Sequence, residues 1–280
     1  MKKIIMLTPA LMLENNRKAN YDALNYSKEN YGLDEYVIYD QEFEKQDYKE
    51  GFTYIGYQEK RQGFVKPRNE LLKYFYNSDA DYAVLIDANE KITQSSLNDF
   101  VTAIEALKTG ELEANAIHTT MGIQISPERM AAKQSKDYFH NVYLIRSKKG
   151  YEWLHGYIIK NFKKHYGVEI YIDERCDPLK GISEDIYLPR IIRRLFPVQL
   201  CPTIVAAKPS NKTSTWMQGN SNYEYPPIDF PYIDKLVKEN YEKIGDIVAK
   251  PIENVVKLKR VKDNNLQYLQ PYKARKKKWK

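Results

Sequence analysis

Apolar and polar positions follow a strand–helix rhythm over the first 110 residues. Short apolar runs typical of buried strands occur at 2–8, 36–40, 52–58 and 83–87. Apolar residues at helical spacing occur at 15–29, from Pro67 onward and at 93–108. Strands that alternate with helices predict a mostly parallel sheet covered by helices on both faces. Ligands of such sheets bind at the carboxyl ends of the strands.

The pattern of the second half is mixed. Strands are predicted at 114–121, 139–146, 168–173 and 198–207. Helices are predicted at 148–165, 184–195 and 233–247. The segment 208–232 is rich in Ser, Asn, Pro and aromatic residues, and we expect a long irregular loop there. Long loops of compact domains are usually functional or disordered.

Length and composition are those of a soluble globular protein. With 280 residues, the chain is long enough to bury a sizeable core. No window approaches the roughly 20 apolar residues that span a bilayer. The N-terminal apolar run is broken by Pro9 and lacks a small-residue cleavage site, so we interpret it as the first core strand. Cys176 and Cys201 form no metal-type pair, which favours a reduced, cytoplasmic protein.

The positive charge is concentrated at the C-terminus. The formal net charge is +7, but residues 257–280 contain 10 of the 44 Lys and Arg and only 1 of the 37 Asp and Glu. The rest of the chain is therefore slightly acidic. We predict a single domain over 1–250 and a basic tail over 251–280.

Polar residues follow two of the predicted strands at their carboxyl ends. Asp40 ends the second strand, and Asp87, Asn89 and Glu90 follow the fourth in YAVLIDANEKI. A carboxylate accepts hydrogen bonds and ligates Mg²⁺ or Mn²⁺, so these side chains predict a polar ligand site at one edge of the sheet. The sequence has no Gly-rich phosphate loop, which argues against an NTPase or a NAD enzyme.

Three motifs occur in the order of a known family. Gly63, Arg68 and Asn69 precede Asp87-Ala88-Asn89, and GISEDIYLPRII (181–192) follows. This order resembles the GT-A fold glycosyltransferases of the large inverting superfamily that includes cellulose- and chitin-type synthases. The resemblance covers about residues 3–206. It implies an α/β GT-A fold, a Rossmann-like mixed sheet flanked by helices, with a nucleotide-binding half at about 1–110 and an acceptor half at about 111–250.

The resemblance also implies an activity and a set of site residues. The reaction would transfer a hexosyl or pentosyl group from a nucleotide-diphosphate sugar, with UDP as the expected nucleotide, to an acceptor hydroxyl. Asp185 would be the general base, with Glu184 binding the acceptor or supporting the helix. Asp87 and Asn89 would hold Mn²⁺ or Mg²⁺. The nucleotide-binding residues would be Thr8, Pro9, Asp40, Arg68, Asn69 and Asp87.

Two features leave alternatives open. Asn89 stands where the family usually has a carboxylate, and Glu90 is not expected to replace it, because its side chain points in another direction one residue further on. Low metal affinity and charge stabilisation by Lys and Arg are both compatible with this. Glu184 and Asp185 are also typical of the acidic first turn of a helix that Ser183 caps.

The basic tail and the loop at 208–232 suggest a polyanionic acceptor. Contacts of lysines with phosphates release counterions and so strengthen binding to nucleic acid, and aromatic rings stack on bases. The leading hypothesis is a viral enzyme in the host cytoplasm that glycosylates hydroxymethylated bases flipped out of DNA. The acceptor-binding residues would be Trp216, Tyr223, Lys276, Lys277, Lys278 and Trp279.

Other functions remain open at this stage. A teichoic-acid or surface-polysaccharide glycosyltransferase would use the tail to bind an anionic membrane face. A non-catalytic nucleic-acid-binding protein would use the tail alone. A nucleotidyltransferase is disfavoured, because its Gly-rich loop is missing after the first strand. No obligate protein partner is expected, and the sequence identifies neither the sugar nor the acceptor.

Overall fold

The computed structural model describes residues 1–11, 14–41, 48–56, 63–124, 142–143, 154–209, 226–245, 257–259, 266–268 and 270–272. The strands are β1 (Ile4–Leu11), β2 (Glu35–Gln41), β3 (Thr53–Ile55), β4 (Tyr82–Leu85), β5 (Lys91–Ile92), β6 (Ala116–Gln124), β7 (Val142–Tyr143), β8 (Tyr157–Lys160), β9 (Val198–Pro209), β10 (Lys257–Lys259), β11 (Leu266–Tyr268) and β12 (Gln270–Tyr272). The helices are α1 (Glu14–Asn30), α2 (Val65–Asn77), α3 (Leu97–Thr109), α4 (Phe162–Tyr166), α5 (Glu184–Leu195) and α6 (Phe230–Ile244).

One mixed sheet organises the molecule. Its strand order is β12-β9-β6-β8-β4-β1-β2-β3, with β5 paired to β9 and β7 paired to β6. Strand β1 is parallel to β2 and β4, whereas β8 runs antiparallel between β4 and β6. The predicted α/β fold with a mixed sheet flanked by helices is confirmed.

Both faces of the sheet are buried. Ile4 and Met6 of β1 belong to the apolar cluster that includes residues of α1 and α3. Ile5 and Leu7 face the opposite cluster, to which α2, α5 and α6 contribute. Successive side chains of a strand point to opposite faces, so a strand covered on both sides is apolar throughout. This explains the continuous apolar runs of the first half.

The helix predicted at 148–165 is wrong over 154–161 and confirmed over 162–165. Residues Tyr157–Lys160 form β8, every residue of which is buried, and only Phe162–Tyr166 is helical. The β-branched Ile158 and Ile159 pair with β4 on one side and with β6 on the other. Burial between two strands favours such residues in extended backbone, and this tertiary environment was not visible in the local pattern. Residues 148–153 lie outside the described residues.

The strand predicted at 168–173 is also wrong. These residues are irregular, although Ile170 and Ile172 are buried. Their backbone groups bond to side chains of α2 instead of a neighbouring strand: Ile170 to the Tyr76 hydroxyl and Ile172 to the Asn69 amide. Side-chain partners satisfy the peptide groups here, so no strand partner is needed.

The C-terminal part departs from the expected loop and tail. Helix α6 begins at Phe230, inside the predicted loop, with the Asp229 side chain accepting a hydrogen bond from the Tyr232 amide. Strand β12 pairs antiparallel with β9, so part of the predicted tail belongs to the main sheet. No helix that the structure describes has both the length and the apolar character required to cross a bilayer. Residues 210–225 and most of the predicted strand 139–146 lie outside the described residues.

Candidate active site

Helix α2 carries Arg68 towards the carboxyl edge of the sheet. Arg68 lies on the buried face of the helix with Leu71, Leu72 and Phe75. The three apolar residues follow Arg68 by three, four and seven positions, so the four side chains lie in one stripe along the helix. Pro67 is the third helical residue rather than the first, still within the turn where a missing amide proton costs little. The amphipathic stripe of α2 therefore buries a guanidinium among leucines.

The Arg68 guanidinium contacts acidic residues from two other parts of the chain. Its Nη2 lies 2.8 Å from Asp87 Oδ1 and 2.9 Å from Asp185 Oδ1, and its Nε lies 3.5 Å from Glu184 Oε1. Burial alone would lower the pKa of Arg68, but the carboxylates of Asp185, Asp87 and Glu184 raise it above its ordinary value. Arg68 is a permanent cation that holds the two acidic motifs together.

A tight turn after β4 brings Glu90 back beside Asp87. The Glu90 amide donates to the Asp87 carbonyl at 3.0 Å, and the Asp87 amide donates to Glu90 Oε2 at 3.0 Å. The expectation that Glu90 points elsewhere is therefore wrong. That expectation assumed that the backbone stays extended after β4. The two hydrogen bonds between residues 87 and 90 instead close a turn, which brings the two side chains to the same side of the backbone.

His155 enters the same cluster from the turn before β8. It is buried, its Nδ1 contacts Glu90 Oε1, and its Nε2 lies 3.7 Å from Asp185 Oδ2. The next residue, Gly156, has a φ of +67°, and a Cβ there would lie 3.1 Å from both Ala206 Cβ and Thr119 Oγ1. The left-handed φ and this close approach favour glycine, and the turn positions the imidazole.

Three side chains of this cluster form a set of potential metal ligands. Ligand atoms of Asp87, Glu90 and His155 lie within 4.8 Å of one another. Carboxylates and imidazole are the donors that bind divalent first-row cations in proteins. The residues present therefore fit the divalent metal that the resemblance implies. Asn89 is half-buried in the same turn.

The start of α5 supplies the second pair of carboxyl groups. Burial and the neighbouring Asp185 charge raise the pKa of Glu184 to about 8, although Arg68 opposes the shift. The Asp185 side chain is 15% exposed, so it is the more accessible of the two. Ser183 makes no side-chain capping bond. The carboxyl groups of Glu184 and Asp185 both contact Arg68. The side-chain cap by Ser183 that the sequence left open is not formed.

The loop before α5 is held in place by the segment before α6. Gly181 has a φ of +78°, and a Cβ there would lie 2.4 Å from the Pro227 carbonyl oxygen. The Asp229 amide donates to the Gly181 carbonyl at 2.9 Å. Helix α6 also packs against α5 through the ion pair of Arg190 with Asp234. These contacts fix the position of the helix that carries Asp185.

The remaining nucleotide-binding candidates lie along β1 and β2. Asp40 pairs with Ala10 near the end of β2, so its backbone lies at the same edge as Asp87, two strands away. Two strand spacings separate positions by roughly 10 Å. Pro9 is half-buried and lines a small apolar cavity together with Arg68. Thr8 is fully buried, and its hydroxyl has no hydrogen-bond partner among the described residues.

Asn69 makes structural contacts. Its Nδ2 donates to the Ile172 carbonyl and its Oδ1 accepts from the Ile172 amide, both at 2.9 Å. Both ends of the amide are thus engaged by one backbone residue. Asn69 attaches the irregular segment 168–173 to α2 beside the cluster.

The acceptor-binding candidates Trp216, Tyr223, Lys276, Lys277, Lys278 and Trp279 lie outside the described residues. The last described tail residue, Tyr272, pairs with Val198, the first residue of β9. Strand β9 is parallel to β6, and both run in the same direction as β4, because β8 lies antiparallel between β6 and β4. Val198 begins β9 and so lies at the amino edge of the sheet, whereas Asp87 follows the carboxyl end of β4. The described part of the tail therefore ends on the side of the sheet away from the cluster.

Sequence reasoning rejected Glu90 as a metal ligand and missed His155. The spacing of Asp87 and Glu90, three residues apart in a polar segment after a strand, is typical of a turn that closes on itself and could have indicated Glu90. No local signal indicates His155, because its approach to Asp185 depends on the placement of β8 between β4 and β6.

Comparisons with known proteins support the fold. No protein-family model matches the chain, and no curated protein matches it in sequence. Residues 1–349 of S. aureus TarS in complex with UDP-GlcNAc are 17% identical, with a TM-score of 0.53 over 87% of this chain and 67% of that chain. S. aureus TarS in a longer form is 14% identical, with a TM-score of 0.45 over 87% of this chain and 40% of that chain. The chain therefore has the mixed α/β fold of a GT-A-type glycosyltransferase.

Proposed function

We propose that the protein is a glycosyltransferase that moves a sugar from a nucleotide-diphosphate sugar, a UDP-sugar, to an acceptor hydroxyl. The observation that carries this proposal is the contact of Arg68 with both Asp87 and Asp185. A polar edge of an α/β sheet is the usual ligand site of such folds. Arg68, Asp87 and Asp185 are far apart in the chain and converge at this edge. This convergence supports a reaction centre rather than a polar loop.

The proposed step requires a base and a held leaving group. Asp185 removes the proton from the acceptor hydroxyl as that oxygen forms a bond to the anomeric carbon of the sugar. The bond from this carbon to the diphosphate breaks, and the diphosphate leaves with the electron pair. Attack from the face opposite the leaving group inverts the anomeric centre. Pro9, Asp40 and Arg68 border the side on which we place the nucleotide.

A divalent cation, when bound, would neutralise the charge that develops on the diphosphate. Asp87 would hold it, with Glu90 and His155 as neighbouring donors. Arg68 keeps the Asp87 and Asp185 carboxylates at a fixed separation. The largely buried setting of Arg68 and Glu184 strengthens these charge interactions.

For the acceptor we propose a hydroxyl-bearing anionic glycopolymer of the teichoic-acid type rather than DNA. The structural likeness to TarS is compatible with this class, and no comparison supports modification of DNA bases. The basic tail would bind the polymer or an anionic membrane. The buried free cysteines Cys176 and Cys201 support a cytoplasmic location.

Release of UDP tests the proposal. We expect the full chain to release UDP from UDP-GlcNAc or UDP-glucose in the presence of Mn²⁺, and Asp87→Ala to abolish this release. The matched control is Asp79→Ala, since the Asp79 side chain is 78% exposed and pairs with Lys3. Wild-type rates in Asp79→Ala exclude a general effect of losing an acidic residue.

The acceptor is tested in the same assay. Faster release with a polyol-phosphate polymer, but not with hydroxymethylated DNA, supports the proposed acceptor class. The reverse result restores the DNA hypothesis. No release from any nucleotide sugar, together with salt-sensitive retention on DNA, would show a non-catalytic nucleic-acid-binding protein instead.

A further inference from the structure

We propose that Lys160 is a nucleophilic lysine that small acyl phosphates acylate, at the edge of the sheet opposite the candidate active site. Lys160 is the last residue of β8 and pairs with Tyr82, the first residue of the antiparallel strand β4. Asp87 follows the other end of β4. The length of the strand therefore separates Lys160 from the cluster around Arg68, and this proposal does not rest on the proposed function.

The Lys160 ammonium lies beside two tyrosine rings. Its Nζ is 6.0 Å from the centre of the Tyr82 ring and 5.9 Å from the centre of the Tyr166 ring, the outer limit of a cation–π contact. Within the described ranges of the chain, no oxygen accepts a hydrogen bond from this ammonium, although it can donate three. Lysine side chains are rarely buried without a partner, yet this residue is only 8% exposed. Its charged form has thus lost most of its water without gaining an acceptor from these residues.

The charged groups near Lys160 do not compensate for its burial. Lys2 Nζ lies 5.8 Å from the centre of the first of these rings and bonds to Glu113 Oε1 at 3.1 Å. Asp81, the residue before β4, pairs with Lys164 at 2.7 Å. Burial lowers the pKa of Lys160, and Lys2 adds to this effect, whereas Glu113 and Asp81 oppose it. Since each of these carboxylates already pairs with another lysine, the effect of burial prevails.

An amine in this setting is a nucleophile. A lysine is activated when it is desolvated or lies next to another cationic group, because its neutral form is then more populated. The neutral amine attacks the carbonyl carbon of an acyl phosphate, the bond from this carbon to the phosphate oxygen breaks, and phosphate leaves with the electron pair. The nitrogen releases a proton to the phosphate, and the product is an amide. Burial limits access to small groups such as acetyl, and the neutral product removes a charge that burial disfavours.

Acetyl phosphate and peptide mass spectrometry test this proposal on the full chain. Acetylation of each lysine is followed with time at about pH 8, where only a small fraction of an ordinary lysine is neutral. Lys163 is the matched reference in the same molecule, because its side chain is 42% exposed and its Nζ bonds to Glu169 Oε1 and Asn77 Oδ1, both at 2.7 Å. Exposure alone would favour Lys163. We expect Lys160 to react at least about threefold faster, because its lower proton affinity outweighs its poorer access.

Unfolding and one variant identify the cause of the fast reaction. In guanidinium chloride we expect Lys160 and Lys163 to react at equal rates, because the folded surroundings are lost. Lys160→Arg should lose the fast reaction, since a guanidinium stays protonated and is not acylated. If Lys160→Arg fails to fold, the comparison of the native and unfolded wild-type chains decides.

Three results would overturn this assignment. They are acetylation of Lys160 at or below the rate of Lys163 in the folded chain, a rate ratio that persists in guanidinium chloride, and fast acetylation of the same peptide in Lys160→Arg. None of them bears on the proposed transferase activity, which release of UDP tests. Absence of UDP release would in turn leave the prediction for Lys160 unchanged, since the two sites lie at opposite edges of the sheet.

Discussion

Asp185→Asn is expected to lower kcat for sugar transfer by about two to four orders of magnitude, the usual contribution of a positioned general base. The amide preserves the size of the side chain but cannot take a proton from the acceptor. Asp185 is suited to the role because its side chain is 15% exposed and Arg68 holds it at 2.9 Å. Steady-state kinetics with donor and acceptor at saturation measure the effect, and binding of UDP should be unchanged.

Glu184→Gln is the informative partner of this variant. The pKa of Glu184 is raised to about 8 by burial and by Asp185, which favours its protonated form at neutral pH. A glutamine resembles that neutral form, so we expect a much smaller loss of kcat. A large loss in Glu184→Gln with near-normal turnover in Asp185→Asn would assign the base to Glu184 instead.

Arg68→Ala is expected to lower the free energy of unfolding by about 3–5 kcal/mol, the cost of leaving buried partners of an ion pair uncompensated. Three carboxyl groups contact this guanidinium, and its side chain is only 10% exposed. Without it, the Asp87 and Asp185 carboxylates would repel one another beside the buried Glu184. Denaturant unfolding of the metal-free chain measures the change.

Arg175→Ala is the matched control for this loss. Arg175 also contacts two acidic residues, Asp173 and Glu239, but its side chain is 44% exposed. An exposed pair contributes about 0–1 kcal/mol, so this variant should remain close to the wild type. Equal destabilisation by the two substitutions would show that Arg68 has no special role in holding the cluster together.

The sequence predicted the first half of the sheet because its strands are buried on both faces. The apolar runs around Ile4, Val37 and Val84 are typical of covered strands, and the polar residues after the second and fourth strands indicated the carboxyl edge. The convergence of Arg68 with Asp87 follows from the same topology, since α2 leads directly into β4. Local patterns were sufficient where neighbours in sequence are also neighbours in space.

Long-range contacts set the limits of the prediction. Strand β8 looked helical, because nothing local shows that Ile158 lies between β4 and β6. His155 was missed with it, since that residue reaches Glu90 only through the turn before β8. The contacts of the Asn69 amide with Ile172, more than one hundred positions later, were not predicted, and its role at the nucleotide stays a prediction. Each of these features depends on a partner distant in the chain.

The central claim is that one cleft beside Arg68 and Asp87 binds a nucleotide-diphosphate sugar. Thermal unfolding of the full chain with a panel of nucleotide sugars, with and without Mn²⁺, tests it most directly. A ligand at a hundredfold excess over its Kd stabilises the folded protein by about 2.7 kcal/mol, which raises Tm by a few degrees. We predict such a rise for a UDP-sugar with Mn²⁺ in the wild type and in Asp79→Ala, and its loss in Asp87→Ala. An unchanged Tm with every nucleotide sugar, or an equal rise in Asp87→Ala, would contradict the claim.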